Sequence, residues 1–164
     1  MKMENIKQAL YAITGKGARK AIKEQGIIFE RETLSHNEFP EECLDLIIEI
    51  LSVKELFAKP GMDHFLLTVT TDMPRLTSNQ KQKLLKAVCD HYHQYADMEM
   101  CWLLGDMIAR SYDQSVAMQV FRNLFDSATD QGKEGIALGL DVLARQSKRE
   151  PQLMKEIDAI LKQT

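Results

Sequence analysis

Trp102-Leu103-Leu104-Gly105-Asp106-Met107-Ile108-Ala109-Arg110 returns 35 residues later as Ala137-Leu138-Gly139-Leu140-Asp141-Val142-Leu143-Ala144-Arg145. The Asp, the Ala and the Arg keep their offsets, and the positions between them are apolar. A fixed period in the mid-thirties is what stacked helical hairpins produce, because one hairpin needs a neighbour to bury its apolar face. The echo predicts an all-α fold: antiparallel helical hairpins in a right-handed stack, a short α-solenoid of about eight or nine helices.

The echo weakens upstream. Arg75 stands 35 residues before Arg110, but Thr71 occupies the place of the Asp, and no copy is found before residue 60. Downstream of each Arg, Ala117, Val120, Phe121 and Leu124 answer roughly to Leu153, Ile157 and Ile160. On these residues the segment 61–164 resembles degenerate helical-hairpin repeats of the HEAT or TPR kind. The resemblance is one of architecture, since the Trp/Gly/Tyr pattern of TPR motifs is absent. It implies one helical domain, 1–164, in which N-terminal helices over 1–60 lead into the repeats.

The chain has 164 residues, 45% apolar and 27% charged, which suits a globular core without disulfides or metals. A net charge of −3 argues against a general nucleic-acid binder. Charge is unevenly spread: residues 1–26 carry +4 and residues 27–52 carry −6, so the two segments either pack on each other or offer distinct faces to a partner. Three cysteines (Cys43, Cys89, Cys101) without a regular pattern suit a reducing compartment. The start, Met-Lys-Met-Glu-Asn, lacks the apolar stretch of a signal peptide, and Leu44–Leu51 is too short and too charged to span a bilayer. The expectation is a soluble cytoplasmic protein with no membrane partner.

Helical periodicity runs nearly throughout. Met3, Ile6, Leu10 and Ile13 mark a first helix, and Ala18–Gln25 a short basic one ending at Gly26, with Ile27–Phe29 able to form an extended piece. The next begins either at a Ser35–Glu38 capping box or at Pro40, and its apolar stripe runs to Phe57. Further helices are expected over 63–73, 80–95, 97–112 (capped by Asp97), after Asp113, from Asp130, and after Ser147 and Pro151. In the helix 97–112, Met98, Met100, Cys101, Trp102, Leu103, Leu104, Met107 and Ile108 cover most of the circumference, as in an element surrounded by others. Gly105 would admit a neighbouring helix closely.

Asp106/Arg110 and Asp141/Arg145 sit at i,i+4 and face each other on their helices. They form either a ladder between stacked hairpins or a charged strip that holds a partner. The strip, with Glu99, is the candidate partner-binding surface: Glu99, Asp106, Arg110, Asp141, Arg145. Cys89 and His93, also i,i+4, with Cys101 nearby, are the candidate metal or catalytic centre, although His91 and His93 point to opposite sides of a helix and no fourth ligand is evident. The basic run Lys16, Arg19, Lys20, Lys23 is the candidate nucleic-acid contact, without aromatic residues for base stacking. Gly15-Lys16-Gly17 lacks the frame of a phosphate-binding loop and reads as a hinge.

With no nucleotide loop, no complete ligand set and no cofactor motif, the composition points to a non-catalytic protein-binding module. One specific form is a small bacterial inhibitor or immunity protein that blocks a basic toxin, helped by electrostatic steering and offering residues 30–49 as a second acidic surface. The alternatives are a metal-binding or enzymatic helical protein centred on Cys89/His93/Cys101, and a nucleic-acid binder through residues 16–23.

Overall fold

The computed structural model describes residues 2–163. Met1 and Thr164, the outer bounds of the expected domain, lie outside them. The described residues are 79% helical and contain no strand. Ten α-helices follow in order: α1 Lys2–Ala12, α2 Ala18–Leu34, α3 Glu41–Ser52, α4 Lys54–Phe57, α5 Met62–Thr71, α6 Ser78–His91, α7 Met98–Ser111, α8 Gln114–Phe125, α9 Asp130–Gln146 and α10 Pro151–Leu161. Single 3-10 turns at Met73–Arg75 and Tyr92–Gln94 link α5 to α6 and α6 to α7. The count exceeds eight or nine because the stripe that begins at Cys43 breaks at Val53, whose extended backbone (φ −108°, ψ 114°) separates α3 from the four-residue α4.

Two other boundaries differ from expectation, and of the two starts expected for the next helix the chain takes the one at Pro40. Gly26 does not end α2, and Ile27–Phe29 is helical. Gly26 is buried against α5: a Cβ there would lie 3.4 Å from the Cα of Phe65, so glycine serves close packing rather than termination. Ser35 closes α2, and α3 starts after Pro40. The helix expected over 80–95 ends at His91, and Tyr92–Gln94 tightens into the 3-10 turn.

The chain divides into two compact units, Met1–Asp90 and His91–Thr164. In the first, α2 and α5 are the closest pair. Arg19 packs at Gly61, Gly26 at His64 and Phe65, and Arg75 donates to the carbonyls of Thr33 (2.9 Å) and His36 (2.7 Å). The partners advance together, so α2 and α5 run parallel. The rings of Phe29 and Phe65 meet at 4.8 Å, and Ile22, Phe29, Leu44, Ile47, Phe65 and Leu66 are buried. The oppositely charged N-terminal segments do meet, at Lys2–Glu32 (3.6 Å) and Lys7–Glu49 (3.3 Å). Tyr11 donates to Glu49 at 2.6 Å, and that hydrogen bond, with burial and the carboxylate charge, pushes its phenol up to about 12.

In the second unit α7 and α9 are the closest pair. Tyr92 donates to the carbonyl of Gly132 (2.6 Å), and Thr129 to the carbonyl of Tyr95 (2.6 Å), which ties the starts of the two helices together. Further along, Gly135 meets Cys101 and Gly105, and Gly139 meets Gly105 and Phe121. Here too the partners advance in step, so α7 and α9 are parallel, with α8 carrying the chain back between them. Gly105 does admit a close neighbour: a Cβ on it would lie 2.8 Å from the carbonyl carbon of Gly135.

A candidate partner-binding face on α7 and α9

The two helices are positioned by their caps. Asp97 accepts from the Met100 amide (2.9 Å), as its place before an apolar run requires. Thr129 caps α9 by accepting from the Gly132 amide (2.9 Å), and its hydroxyl simultaneously donates to Tyr95. Cap and helix–helix contact therefore share one oxygen.

On α7, Glu99, Trp102, Asp106 and Arg110 recur at spacings of three and four, along one face. On α9, Glu134, Leu138, Asp141 and Arg145 do the same. At roughly 100° per residue, the α7 set lies about a quarter turn from the glycine contact in one sense and the α9 set about a quarter turn in the other. For parallel helices these opposite rotations point to the same side. The two strips form one face.

Both i,i+4 pairs close within their own helix: Arg110 Nε donates to Asp106 Oδ1 at 2.8 Å, and Arg145 Nη2 meets Asp141 Oδ2 at 2.6 Å. The two guanidinium groups are well exposed, so each pair contributes only about 0.3–0.5 kcal/mol to stability. Trp102, the single tryptophan, is 45% exposed on this face, and Leu138 37%. That corrects the expectation that Trp102 points into the core. Met100, Cys101, Leu104, Met107 and Ile108 are buried, while the Trp102 side of α7 is open. Trp102 and Leu138 lie on this candidate face, and periodicity alone did not single them out. The signal for Trp102 was present in the sequence: it stands three residues after Glu99 and four before Asp106, in line with charged positions.

The thiol alternative looks different. Cys43 and Cys101 are buried, and burial pushes their thiols up to about 12; burial also lifts Cys89 to about 11. A nucleophilic or metal-binding cysteine needs its thiolate, and these environments oppose it. Cys101 donates its S–H to the carbonyl of Tyr95 (3.6 Å) and sits at the glycine contact. The helical spacing of Cys89 and His93 is interrupted, because α6 ends before His93. Among the described residues, no three His, Cys, Asp or Glu side chains group as metal ligands do. In the basic run, Lys16 precedes α2, Arg19 lies along Gly61, and Lys20 and Lys23 are exposed.

No helix of the described residues is long and apolar enough to cross a membrane. No protein-family model matches the chain, and no curated protein or solved structure is significantly similar to it.

Proposed function

We propose that the protein is a non-catalytic protein-binding module whose hairpins stack as a short α-solenoid of the HEAT or TPR kind, and that the α7–α9 face holds its partner. The observation that carries this reading is the half-exposed Trp102 aligned with Glu99, Asp106 and Arg110, beside Leu138, Asp141 and Arg145 on a parallel helix. Tryptophan and arginine dominate the energetics of protein interfaces, where a desolvated aromatic ring is ringed by polar groups. Solenoid stacking is supported by the parallel pairing of α2 with α5 and of α7 with α9, the second pair joined by the single helix α8.

The face carries Glu99, Asp106, Glu134 and Asp141 against Arg110 and Arg145. Four carboxylates against two guanidinium groups favour a basic partner. An inhibitor or immunity protein that holds a basic toxin is the specific form of the proposal, with the cytoplasm, where free thiols persist, as its place.

The test is affinity capture from the source lysate with the wild type and with Trp102→Ala, followed by titration of the captured protein. The wild type should retain a basic protein. The variant should lose about 2 kcal/mol or more of binding, roughly thirtyfold in Kd, with unchanged far-UV circular dichroism. Because Trp102 is the lone tryptophan, binding should also shift its emission to the blue. A partner that binds Trp102→Ala as tightly as the wild type would exclude this face.

A further inference from the structure

The first unit holds a second exposed feature that the reading above does not use. Between α2 and α5 runs a cleft of about 310 Å³, lined by Lys23, Ile27, Glu30 and Leu34 from α2 and by His64 and Leu67 from α5. Ile27 is 46% exposed, Leu34 62% and Leu67 51%. Single exposed aliphatic side chains are ordinary on a protein surface; three sharing one cleft mark a surface that something covers.

The charges indicate what covers it. Since α2 and α5 are parallel, their corresponding ends coincide, which places the cation Lys23 at the end of the cleft that His64 also lines. Glu30 lies seven residues beyond Lys23, about 10 Å along the helix, with Ile27 between them. Lys23 and Glu30 are both exposed. At the Glu30 end Asp72 is buried and already paired with Arg75 (3.4 Å).

A surface that is basic at one end, apolar in the middle and acidic at the other is its own complement under a two-fold rotation. Turned about an axis near Ile27, a second copy sets its Glu30 against Lys23 and its Lys23 against Glu30, and the aliphatic side chains of the two clefts close on one another. We propose that the α2–α5 cleft is a self-association surface, occupied by a second copy of this chain in an isologous dimer.

The experiment is sedimentation velocity on the full chain up to about 100 μM, a concentration that detects Kd values into the weak micromolar range. The wild type should sediment at twice the chain mass of 18.8 kDa. Leu67→Asp should give the single-chain mass. Lys23→Glu and Glu30→Lys should each weaken the dimer at least tenfold, and the double exchange Lys23→Glu/Glu30→Lys should restore it, because the reversed charges again face each other across the axis. All three positions of change are exposed, and circular dichroism should match the wild type throughout. A single-chain mass at the highest concentration overturns the proposal, as it would if a foreign protein were the occupant. So does a dimer indifferent to Leu67→Asp, or one whose single charge reversals are not rescued by the double exchange.

Discussion

At the residue scale, three glycines of the second unit are packing elements. A Cβ on Gly135 would lie 2.7 Å from the carbonyl carbon of Cys101 and 2.9 Å from the Tyr92 hydroxyl. Backbone cannot yield as a side-chain tip can, so Gly135→Ala should destabilise the protein by about 3 kcal/mol despite alanine's better helix propensity. Gly15 makes the contrast. Its φ is +70° and nothing lies within 4 Å, so Gly15→Ala meets only the left-handed backbone penalty of about 1–2 kcal/mol. Urea unfolding midpoints of the two variants would separate steric from conformational cost; equal losses would contradict the assignment. The thiols provide a second check at this scale. With Cys89 raised to about 11 and Cys43 and Cys101 to about 12, their thiolate fractions at pH 8 fall below that of a free cysteine by on the order of a hundredfold for Cys89 and a thousandfold for Cys43 and Cys101. Ellman's reagent at that pH should react slowly with the native protein and rapidly once urea unfolds it. Fast labelling of the folded chain would place a thiol in a different environment.

At the element scale, caps decide where helices begin. Thr77 and Gln80 form a reciprocal box: the Thr77 hydroxyl accepts from the Gln80 amide (3.1 Å), and the Gln80 side chain accepts from the Thr77 amide (2.9 Å). The Gln80 amide group also donates to the Phe39 carbonyl (2.9 Å), pinning α6 to the start of α3. Glu150 caps α10 by accepting from the amides of Gln152 (3.0 Å) and Leu153 (2.8 Å), and these bonds hold its carboxyl below the ordinary value of 4.5. A folded-state value below the unfolded one stabilises above the unfolded value, and that contribution fades as pH falls through the folded value. Glu150→Gln should therefore lower stability at pH 7 and flatten the loss of stability with acidification below pH 4.5, read from thermal midpoints across pH 2–7. A pH profile parallel to the wild type would argue against the cap. Most helix starts were legible in sequence, because Asp97 before its apolar run is a local chemical signal. The course of α2 through Gly26 was not. A glycine that ends a helix and a glycine that lets another helix approach are the same letter, and only Phe65, 39 residues away, distinguishes them.

At the scale of the whole molecule, Asp106→Ala/Arg110→Ala should leave far-UV circular dichroism near four-fifths helix, because an exposed i,i+4 pair contributes only about 0.3–0.5 kcal/mol. Its loss should appear in partner binding. Unfolding of the double variant would make the pair structural and move the binding face elsewhere.

The periodic apolar spacing and the caps determined an all-helical chain, and the echo around Asp106 and Asp141 marked two helices as equivalent. These are local properties, written within a few turns of each helix. Which side of α7 stays open, and so whether Trp102 is core or surface, was decided only by packing. On a helix that is apolar around most of its circumference, the hydrophobic effect favours burying every side equally. The glycine-to-glycine approach of α9 chooses which one is closed.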